Sequence, residues 1–329
     1  MFNKHSLILI TALLLPTSQA LFAQGDNSGD SGTDQTQNNS GNNSEEEDKT
    51  TTWSINGGDL YQFDSNIKGG GSFSVNRFFL GGGLDYEVTP SLSLNLDIGF
   101  ELDSYRFKGS GEFTNPANGV PWTSTMAFTI KGLGRWKVND NWRVFLGGLI
   151  SWAGETRADA GKSFTGGGLM GFAYTFSEDL TLGAGLQIST RIEDSLLFIP
   201  SPIIDWRITK QLYISNVRSP VTFPASLGIE VIYYLSYETN ISLGARYDYR
   251  RFRLDDSGPA NIQNGVGVDS GFPLWLRFEW RPVSKLRLHL LVGVELGEKL
   301  QLQNSDGWQI RENNVDPAPF VGFFLGFEF

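Results

Sequence analysis

The sequence predicts an all-β protein that forms a single antiparallel up-and-down β-barrel of about 14 strands spanning a membrane. Three observations lead to this prediction. The chain ends on an alternating apolar strand, short turns alternate with long polar loops, and the segments between them have one apolar and one polar face. Alternation with a period of two residues is the pattern of a strand whose two faces meet different surroundings.

The C-terminal strand carries the strongest signal. Every second residue back from the C-terminus is large and apolar, and we expect these residues to face lipid: Phe329, Phe327, Leu325, Phe323 and Val321. Glu328 is the one acid on the opposite, inward face. Soluble proteins rarely end in such a strand, whereas the last strand of a membrane barrel pairs with the first and contacts lipid.

Composition agrees with a barrel and excludes several other classes. The chain has 329 residues with 39 Gly, 24 Phe, 10 Tyr, 9 Trp and no Cys. No run of 18 apolar residues occurs, so no transmembrane helix is predicted. The net charge is −10 and no basic patch is present, so nucleic acid is not an expected partner.

The N-terminal 52 residues are predicted to lie outside the barrel. Residues 1–23 resemble a secretory signal peptide, with Lys4 before an apolar stretch at Leu7–Leu15. Residues 24–52 are polar and acidic, and we expect a disordered periplasmic tail. The acids at 45–48 lack the spaced ligands of a calcium loop and are expected to be solvated. The barrel itself is predicted for residues 53–329.

Turns and loops alternate along the barrel region. Short turns rich in Pro, Asn, Asp and Ser are predicted at 88–91, 138–141, 177–179, 209–211, 236–240 and 282–285. Longer polar loops are predicted at 108–122, 155–163, 255–271 and 299–317. Short periplasmic turns at one end and long extracellular loops at the other are typical of outer-membrane barrels.

The alternating runs predict 14 strands. They are expected at 53–64, 72–88, 91–107, 123–138, 141–154, 164–177, 179–192, 200–209, 211–218, 222–236, 240–254, 271–283, 285–298 and 318–329. The first run and the run at 211–218 are the weakest, so 12 strands is the alternative even number. Pro200, Pro202, Pro220 and Pro224 are expected at strand ends or in loops, because proline cannot donate to a ladder.

The signal peptide, the hairpins and the terminal Phe329 together resemble Gram-negative outer-membrane β-barrel proteins, in particular porin-like families of unassigned function. Phe327 and Phe329 match the C-terminal signal that the barrel-assembly machinery reads in those proteins. Their pattern has a glycine five residues before the last, where this chain has Phe324. The resemblance implies export to the bacterial outer membrane, with outer-membrane lipid, periplasmic chaperones and the barrel-assembly machinery as partners.

No enzymatic motif is complete. His289 is the one histidine after the predicted signal peptide, and it resembles the histidine of outer-membrane phospholipases. Those enzymes place a serine two residues later, where this chain has Leu291. Residues 161–163 are Gly-Lys-Ser, but Thr156 replaces the first glycine of a phosphate-binding loop. We therefore expect no catalysis, no metal site and no cofactor.

The inward face carries charges of both signs. On the strand at 91–107, the positions that alternate with the apolar face point inward. They form an acidic wall: Asp97, Glu101 and Asp103. Parity places a mostly basic wall on the strand at 240–254 and its neighbours: Arg246, Arg250, Arg277, Arg281 and Arg287. Counting strands puts the two walls on opposite sides of the barrel.

Two functions remain open from this pattern. The opposed walls could line an aqueous pore that passes small polar solutes, which the strand count favours because barrels of this size can enclose a channel. Alternatively, acids and bases pair, fill the lumen and stabilise a non-conducting scaffold whose loops bind a partner. A transporter of hydrophobic compounds would need an N-terminal plug, and residues 24–52 are too polar to form one. Phe272, Trp275 and Trp308 are expected at the membrane interface or in loops.

Overall fold

A computed structural model describes residues 51–111, 113–114, 120–216, 227–257 and 260–329. The predicted signal peptide, residues 24–50 of the predicted tail, and Pro220 and Pro224 lie outside these residues. The described chain is almost entirely β-structure, with one short 3-10 turn at Gly161–Ser163. In the parts of the chain that the structure describes, no helix is long and apolar enough to cross a membrane.

Fifteen strands are formed by the described residues. They are β1 (Thr51–Asn66), β2 (Ser72–Thr89), β3 (Leu92–Lys108), β4 (Ser124–Lys137), β5 (Trp142–Glu155), β6 (Phe164–Ser177), β7 (Leu180–Arg191), β8 (Asp194–Arg207), β9 (Leu212–Ser215), β10 (Leu227–Tyr234), β11 (Thr239–Arg253), β12 (Val266–Val283), β13 (Leu286–Gln303), β14 (Gln309–Asn314) and β15 (Ala318–Glu328).

Fourteen of these strands close into one antiparallel barrel in chain order, with β15 paired to both β1 and β13. The predicted fold class and strand count are confirmed, and the alternative of 12 strands is wrong. β14 is not part of the barrel wall, because β13 is its only partner strand among the described residues. All six predicted short turns join consecutive strands at one end of the barrel, which we call the short-turn end. The opposite end is called the long-loop end.

The outer surface of the barrel is the predicted apolar face. On β3, Leu94, Leu96 and Ile98 are exposed, whereas Glu101 and Asp103 on the other parity are buried inside. A tilted strand of 9–11 residues crosses a bilayer, and all barrel strands except β9 and β10 have at least 11 described residues. The polar turns lie beyond the apolar belt: in the β4–β5 turn, the hydrogen bond from Lys137 lowers the pKa of the exposed Asp140.

The last strand closes the barrel as its sequence predicts. Phe323 and Phe327 are exposed on the outer face, while Phe320 and Phe324 point inward and are buried. The ring of Phe324 lies against the backbone of β1 at Gly58, where a β-carbon would come within 2.2 Å of the ring. A glycine at this position therefore allows the first and last strands to pair closely with an aromatic ring inside the seam.

Strand β8 differs from the prediction, because Pro200 and Pro202 lie within it rather than at its end. They pair with Leu186 and Ala184 of β7. On its other side β8 pairs with β9 only from Asp205 to Arg207 within the described residues. At Pro202 the carbonyl oxygen accepts a hydrogen bond from the Asn216 side chain at 2.6 Å. Proline cannot donate to a ladder, and within the described residues the β8–β9 ladder does not extend to the level of Pro200 and Pro202.

The strands at the long-loop end also differ from the prediction. The predicted loop at 255–271 contains the first six residues of β12, and the predicted loop at 299–317 contains the end of β13 and all of β14. Val266, Val268, Leu300 and Leu302 of these extensions are fully buried. Burial of this apolar surface stabilises the extended strands beyond the membrane belt.

An apolar cluster fills the long-loop end of the barrel, and we call it the plug. Strands and loops both contribute to it: Ile67, Phe73, Val75, Tyr105, Phe113, Trp122, Phe252, Leu254, Ile262, Leu300, Leu302 and Val315. The end of β11 bends over the same mouth, since Arg253 pairs directly with Gly154 of β5. The backbone N–H of Asp255 then donates to Glu155 at 3.0 Å. The mouth is thus narrowed by strands and packed with side chains.

Asp59 is a polar exception on the outer face, and it yields a first prediction. It lies opposite the exposed Phe78 and Phe323, and accepts a hydrogen bond from Asn76 at 2.7 Å. We expect Asp59→Leu to raise the unfolding free energy in lipid vesicles by about 1–2 kcal/mol, because a lipid-facing carboxylate is unfavourable. Urea titrations of folded barrels measure this. Asp140→Leu in the exposed turn is the control; an equal gain there would show that the effect is unrelated to the lipid face.

Candidate functional site in the barrel interior

Charged side chains form a layer across the middle of the barrel, directly below the plug. We call it the central charge layer, and it consists of Arg77, Glu101, Asp103, Arg246, Asp248, Arg250, Asp269, Glu295 and Glu298. These residues lie on the inward faces of β2, β3, β11, β12 and β13. The layer brings together four of the eight predicted lumen charges: Glu101, Asp103, Arg246 and Arg250.

Arg77 ties three strands together within this layer. Its guanidinium donates to Asp103 of β3 and to Asp269 of β12, both at 2.8 Å. The Tyr105 hydroxyl also donates to Asp269 at 2.8 Å. All four side chains are buried. Charge-assisted hydrogen bonds of this kind are about twice as strong as neutral ones, so this cluster is a rigid part of the layer.

Arg250 joins opposite walls of the barrel. Its Nε donates to Glu101 of β3 at 2.8 Å, and its Nη1 donates to Asp248 at 3.2 Å. Strands β11 and β3 are separated by five strands on the shorter way round: β12, β13, β15, β1 and β2. The acidic and basic walls that the sequence places on opposite sides are therefore in direct contact at this level.

A second network lies nearer the short-turn end. Arg277 donates to Glu230 at 2.6 Å and to Glu279 at 2.8 Å, and Arg281 also pairs with Glu279. His289 is buried in this network, with its Nδ1 3.3 Å from Arg277. These contacts place two of the predicted basic residues, Arg277 and Arg281, among paired charges rather than beside an open lumen.

The remaining predicted charges lie on the inward face nearer the short-turn end, in a part of the lumen that we call the vestibule. Asp97 pairs with Lys131 at 3.0 Å, and Arg287 pairs with Glu328 at 2.7 Å. A β-carbon at the inward-facing Gly99 would meet no atom within 4 Å, so the lumen is open beside it. The vestibule is thus polar and lies below the central charge layer.

Two cavities adjoin the central charge layer. The larger has a volume of about 130 Å³ and lies between β11 and the strands β3 to β8. Its walls include Leu149, Ser151, Ala153, Gln187, Leu197 and Phe252. The smaller has a volume of about 20 Å³, which is enough for one water molecule. Three aromatic rings and Glu295 line it: Phe79, Trp275 and Phe320.

Three residues of this site do not follow from the sequence pattern used above. Asp269 lies in a predicted loop, although it is on the inward parity of β12. Gly297 has a φ of +58°, and the bulge there turns Glu298 inward against the strict alternation of β13. Trp275, expected at the interface or in a loop, is instead buried in the lumen and donates to Glu230 at 2.8 Å. Trp275 is two residues from the inward-facing Arg277 on the same strand, and this spacing could have predicted its inward position.

Within the described ranges, no group of three or more His, Cys, Asp or Glu side chains is arranged to hold a metal ion. Ion pairs, hydrogen bonds and aromatic side chains line the described interior. Together, the closed barrel of 14 strands, its apolar outer belt and its charged interior define an outer-membrane type of β-barrel.

Comparisons with known proteins find distant structural likenesses to outer-membrane proteins. No family model and no curated protein matches the chain. Among solved structures, an outer-membrane channel from Pseudomonas putida F1 has 10% identity, with 85% of this chain and 95% of that chain covered, at a TM-score of 0.44. A Pseudomonas aeruginosa FadL homologue has 11% identity, coverage of 85% and 89%, and a TM-score of 0.45. The P. putida toluene transporter TodX has 8% identity, coverage of 85% and 90%, and a TM-score of 0.42.

Proposed function

We propose that this protein is a gated outer-membrane channel for small polar solutes, with the central charge layer as its gate. The observation that carries the proposal is the bond from Arg250 to Glu101, which crosses the lumen between strands that are not neighbours. When the layer is intact, a solute in the vestibule meets ion-paired side chains instead of water. When the pair separates, the side chains of Arg250 and Glu101 are free to move away from the middle of the lumen.

The position of the gate explains why side-chain motion alone would be enough to open it. The ladders on both sides of β3 and the ladder between β11 and β12 do not depend on the Arg250–Glu101 pair, so breaking the pair leaves these ladders in place. Arginine side chains are long and have several rotatable bonds. The polar vestibule, including Asp97 and Lys131, favours hydrated solutes on the near side of the gate.

Planar-bilayer conductance tests this proposal. We expect rare openings for the wild type and an open probability at least tenfold higher for Arg250→Ala, because losing one charged hydrogen bond costs about 1.5–3 kcal/mol and 1.4 kcal/mol is a factor of ten. Lys137→Ala, which removes an exposed ion pair in a turn, is the control and should behave as the wild type. Absence of current from both the wild type and Arg250→Ala would contradict the gate.

A non-conducting scaffold is the second candidate, and the plug favours it. Trp122, Phe73 and Leu300 are almost completely buried at the long-loop end, so the mouth is closed independently of the charge layer. In this case the loops would bind a partner and the ion pairs would only stabilise the barrel. A variant with both closures weakened separates the two functions, since a scaffold would still pass no current.

We also propose that the C-terminal strand is the address read by the barrel-assembly machinery, as the resemblance of Phe327 and Phe329 implies. Both rings lie on the outer face, where another protein can contact them before the barrel closes. Deleting Phe329 should lower the amount of folded barrel in the outer membrane without reducing export across the inner membrane. Immunoblots of membrane and periplasmic fractions measure this. Unchanged outer-membrane yield would disprove the address.

A further inference from the structure

The larger of the two cavities has room for more than a single water molecule. Its volume is about 130 Å³. An engineered apolar cavity of about 150 Å³ in another protein holds benzene. The cavity lies between β11 and the strands β3 to β8, and both members of the Arg250–Glu101 pair are part of its wall. A solute the size of about one six-membered ring therefore fits beside the gate.

The charges around this cavity balance and already have partners. Three acids and three arginines line it: Glu101, Asp103, Asp248, Arg191, Arg250 and Arg251. Each of these acids is ion-paired with an arginine of the central charge layer. Arg191 pairs with Asp194, and Arg251 donates to the carbonyl oxygen of Ile192 at 2.8 Å. A charged solute would add a buried charge with no free partner, so the balance favours a neutral solute.

One polar group in the wall lacks a hydrogen-bond partner. The side chain of Gln187 on β7 lines the cavity, and the residue is 3% exposed. Within the described residues, no donor reaches its amide oxygen Oε1. A buried acceptor without a hydrogen bond is unfavourable, because it has lost its bond to water. The cavity therefore offers a position for a hydrogen-bond donor at Gln187.

The surroundings of Gln187 favour a single hydroxyl group on a carbon body. Apolar side chains line the same cavity: Leu149, Ala153, Leu197 and Phe252. Three of the hydroxyl groups in the wall are already hydrogen-bonded within the barrel: Ser151, Thr165 and Thr190. An amide or a polyol would place further polar groups against the apolar side chains, where they would lose hydrogen bonds. One hydroxyl supplies the missing donor, and carbon atoms contact the apolar wall.

We propose that the solute of this channel is a small neutral alcohol with an apolar body of about six carbons, which binds in the larger cavity and donates its hydroxyl to Gln187. This inference rests on the proposed channel function and narrows its solute class. The bound alcohol lies beside the Arg250–Glu101 pair, because Gln187 and both members of the pair line the same cavity. A solute in this cavity is therefore in contact with the gate.

Equilibrium binding to the detergent-solubilised full chain tests the site, with empty micelles as the blank. Cyclohexanol is compared with cyclohexanone, which has nearly the same size but no donor, and with the cyclohexylammonium and cyclohexanecarboxylate ions. We expect cyclohexanol to bind at least tenfold more tightly than each of the other three. Gln187→Met should remove most of the preference for cyclohexanol over cyclohexanone. Gln211→Met, the same substitution in an exposed turn, should leave that preference unchanged.

Ala127→Leu is the second variant if Gln187→Met folds poorly. Ala127 lies in the cavity wall on β4. A leucine there fills part of the space without removing a polar group, and it should weaken cyclohexanol binding at least tenfold. Equal binding of cyclohexanol and cyclohexanone by the wild type, or no saturable binding of either, would overturn the site. Cyclohexanol binding that neither variant weakens would overturn it as well.

The conductance of Arg250→Ala separates the failure of this inference from that of the channel. Cyclohexanol should reduce the current over the concentration range in which it binds, and adding Gln187→Met should remove most of this block. Saturable binding without current in the wild type or in Arg250→Ala would support the site and overturn the channel. Current that cyclohexanol does not reduce would keep the channel and overturn the alcohol as its solute.

Discussion

Arg77→Met should lower the unfolding free energy of the barrel by about 3–5 kcal/mol, the usual effect of removing one partner of a buried ion pair. The guanidinium of Arg77 is bonded to Asp103 and Asp269, and its side chain also lies over the ring of Tyr105. Methionine keeps much of the side-chain volume but supplies no donor. Two buried carboxylates on different strands would then face each other without positive charge between them.

Urea unfolding in lipid vesicles measures the effect of Arg77→Met, and a cycle of variants assigns it. Adding Asp103→Asn and Asp269→Asn to Arg77→Met should recover a large part of the loss, because neutral amides remove the repulsion. Arg207→Met is the matched control: its ion pair with Asp179 is partly exposed, so its loss should cost less than about 1 kcal/mol. A similar cost for Arg77→Met and Arg207→Met would mean that the central layer does not stabilise the barrel.

The architecture follows from local sequence because the membrane imposes a strict rule on each strand. Lipid requires an apolar residue at every second position, so Leu94, Leu96 and Ile98 identify their face without knowledge of any neighbour. The turns at the short-turn end are similarly local, because Pro, Asn and Ser favour them directly. For this reason the strand count and the inward parity of Glu101 and Arg250 can be predicted from sequence.

The contact between Glu101 and Arg250 cannot be predicted in the same way. The alternation along a strand shows whether a residue faces the lumen or the lipid. It does not show the height of the residue in a tilted barrel, nor how far the strand bends inward. The bend of β11 depends on its pairing with β5 at Gly154, which is a tertiary contact. Likewise, the bulge at Gly297 reverses parity for Glu298, and only the register with β12 reveals it. Site geometry therefore depends on long-range pairing that the alternating pattern does not encode.

The plug gives the other prediction of large effect, for Trp122→Ala. The indole is 1% exposed and packs against the rings of Tyr105, Phe107, Phe113 and Phe252, with ring centroids 5.1–5.7 Å away. Truncating a buried aromatic side chain to alanine usually costs about 3–5 kcal/mol, because it leaves a cavity. We expect a loss of this size in urea titrations, together with looser loops at the long-loop end.

Conductance of the double variant Trp122→Ala, Arg250→Ala then distinguishes the channel from the scaffold. If the plug and the charge layer close the lumen in series, the openings of each single variant are still limited by the closure that remains, and the double variant should conduct more than the two single variants combined. Trp136→Ala is the control, because its ring is exposed on the outer face and its loss should leave both closures intact. A double variant that folds but passes no current would establish the scaffold, because weakening both closures would then have opened no path through the barrel.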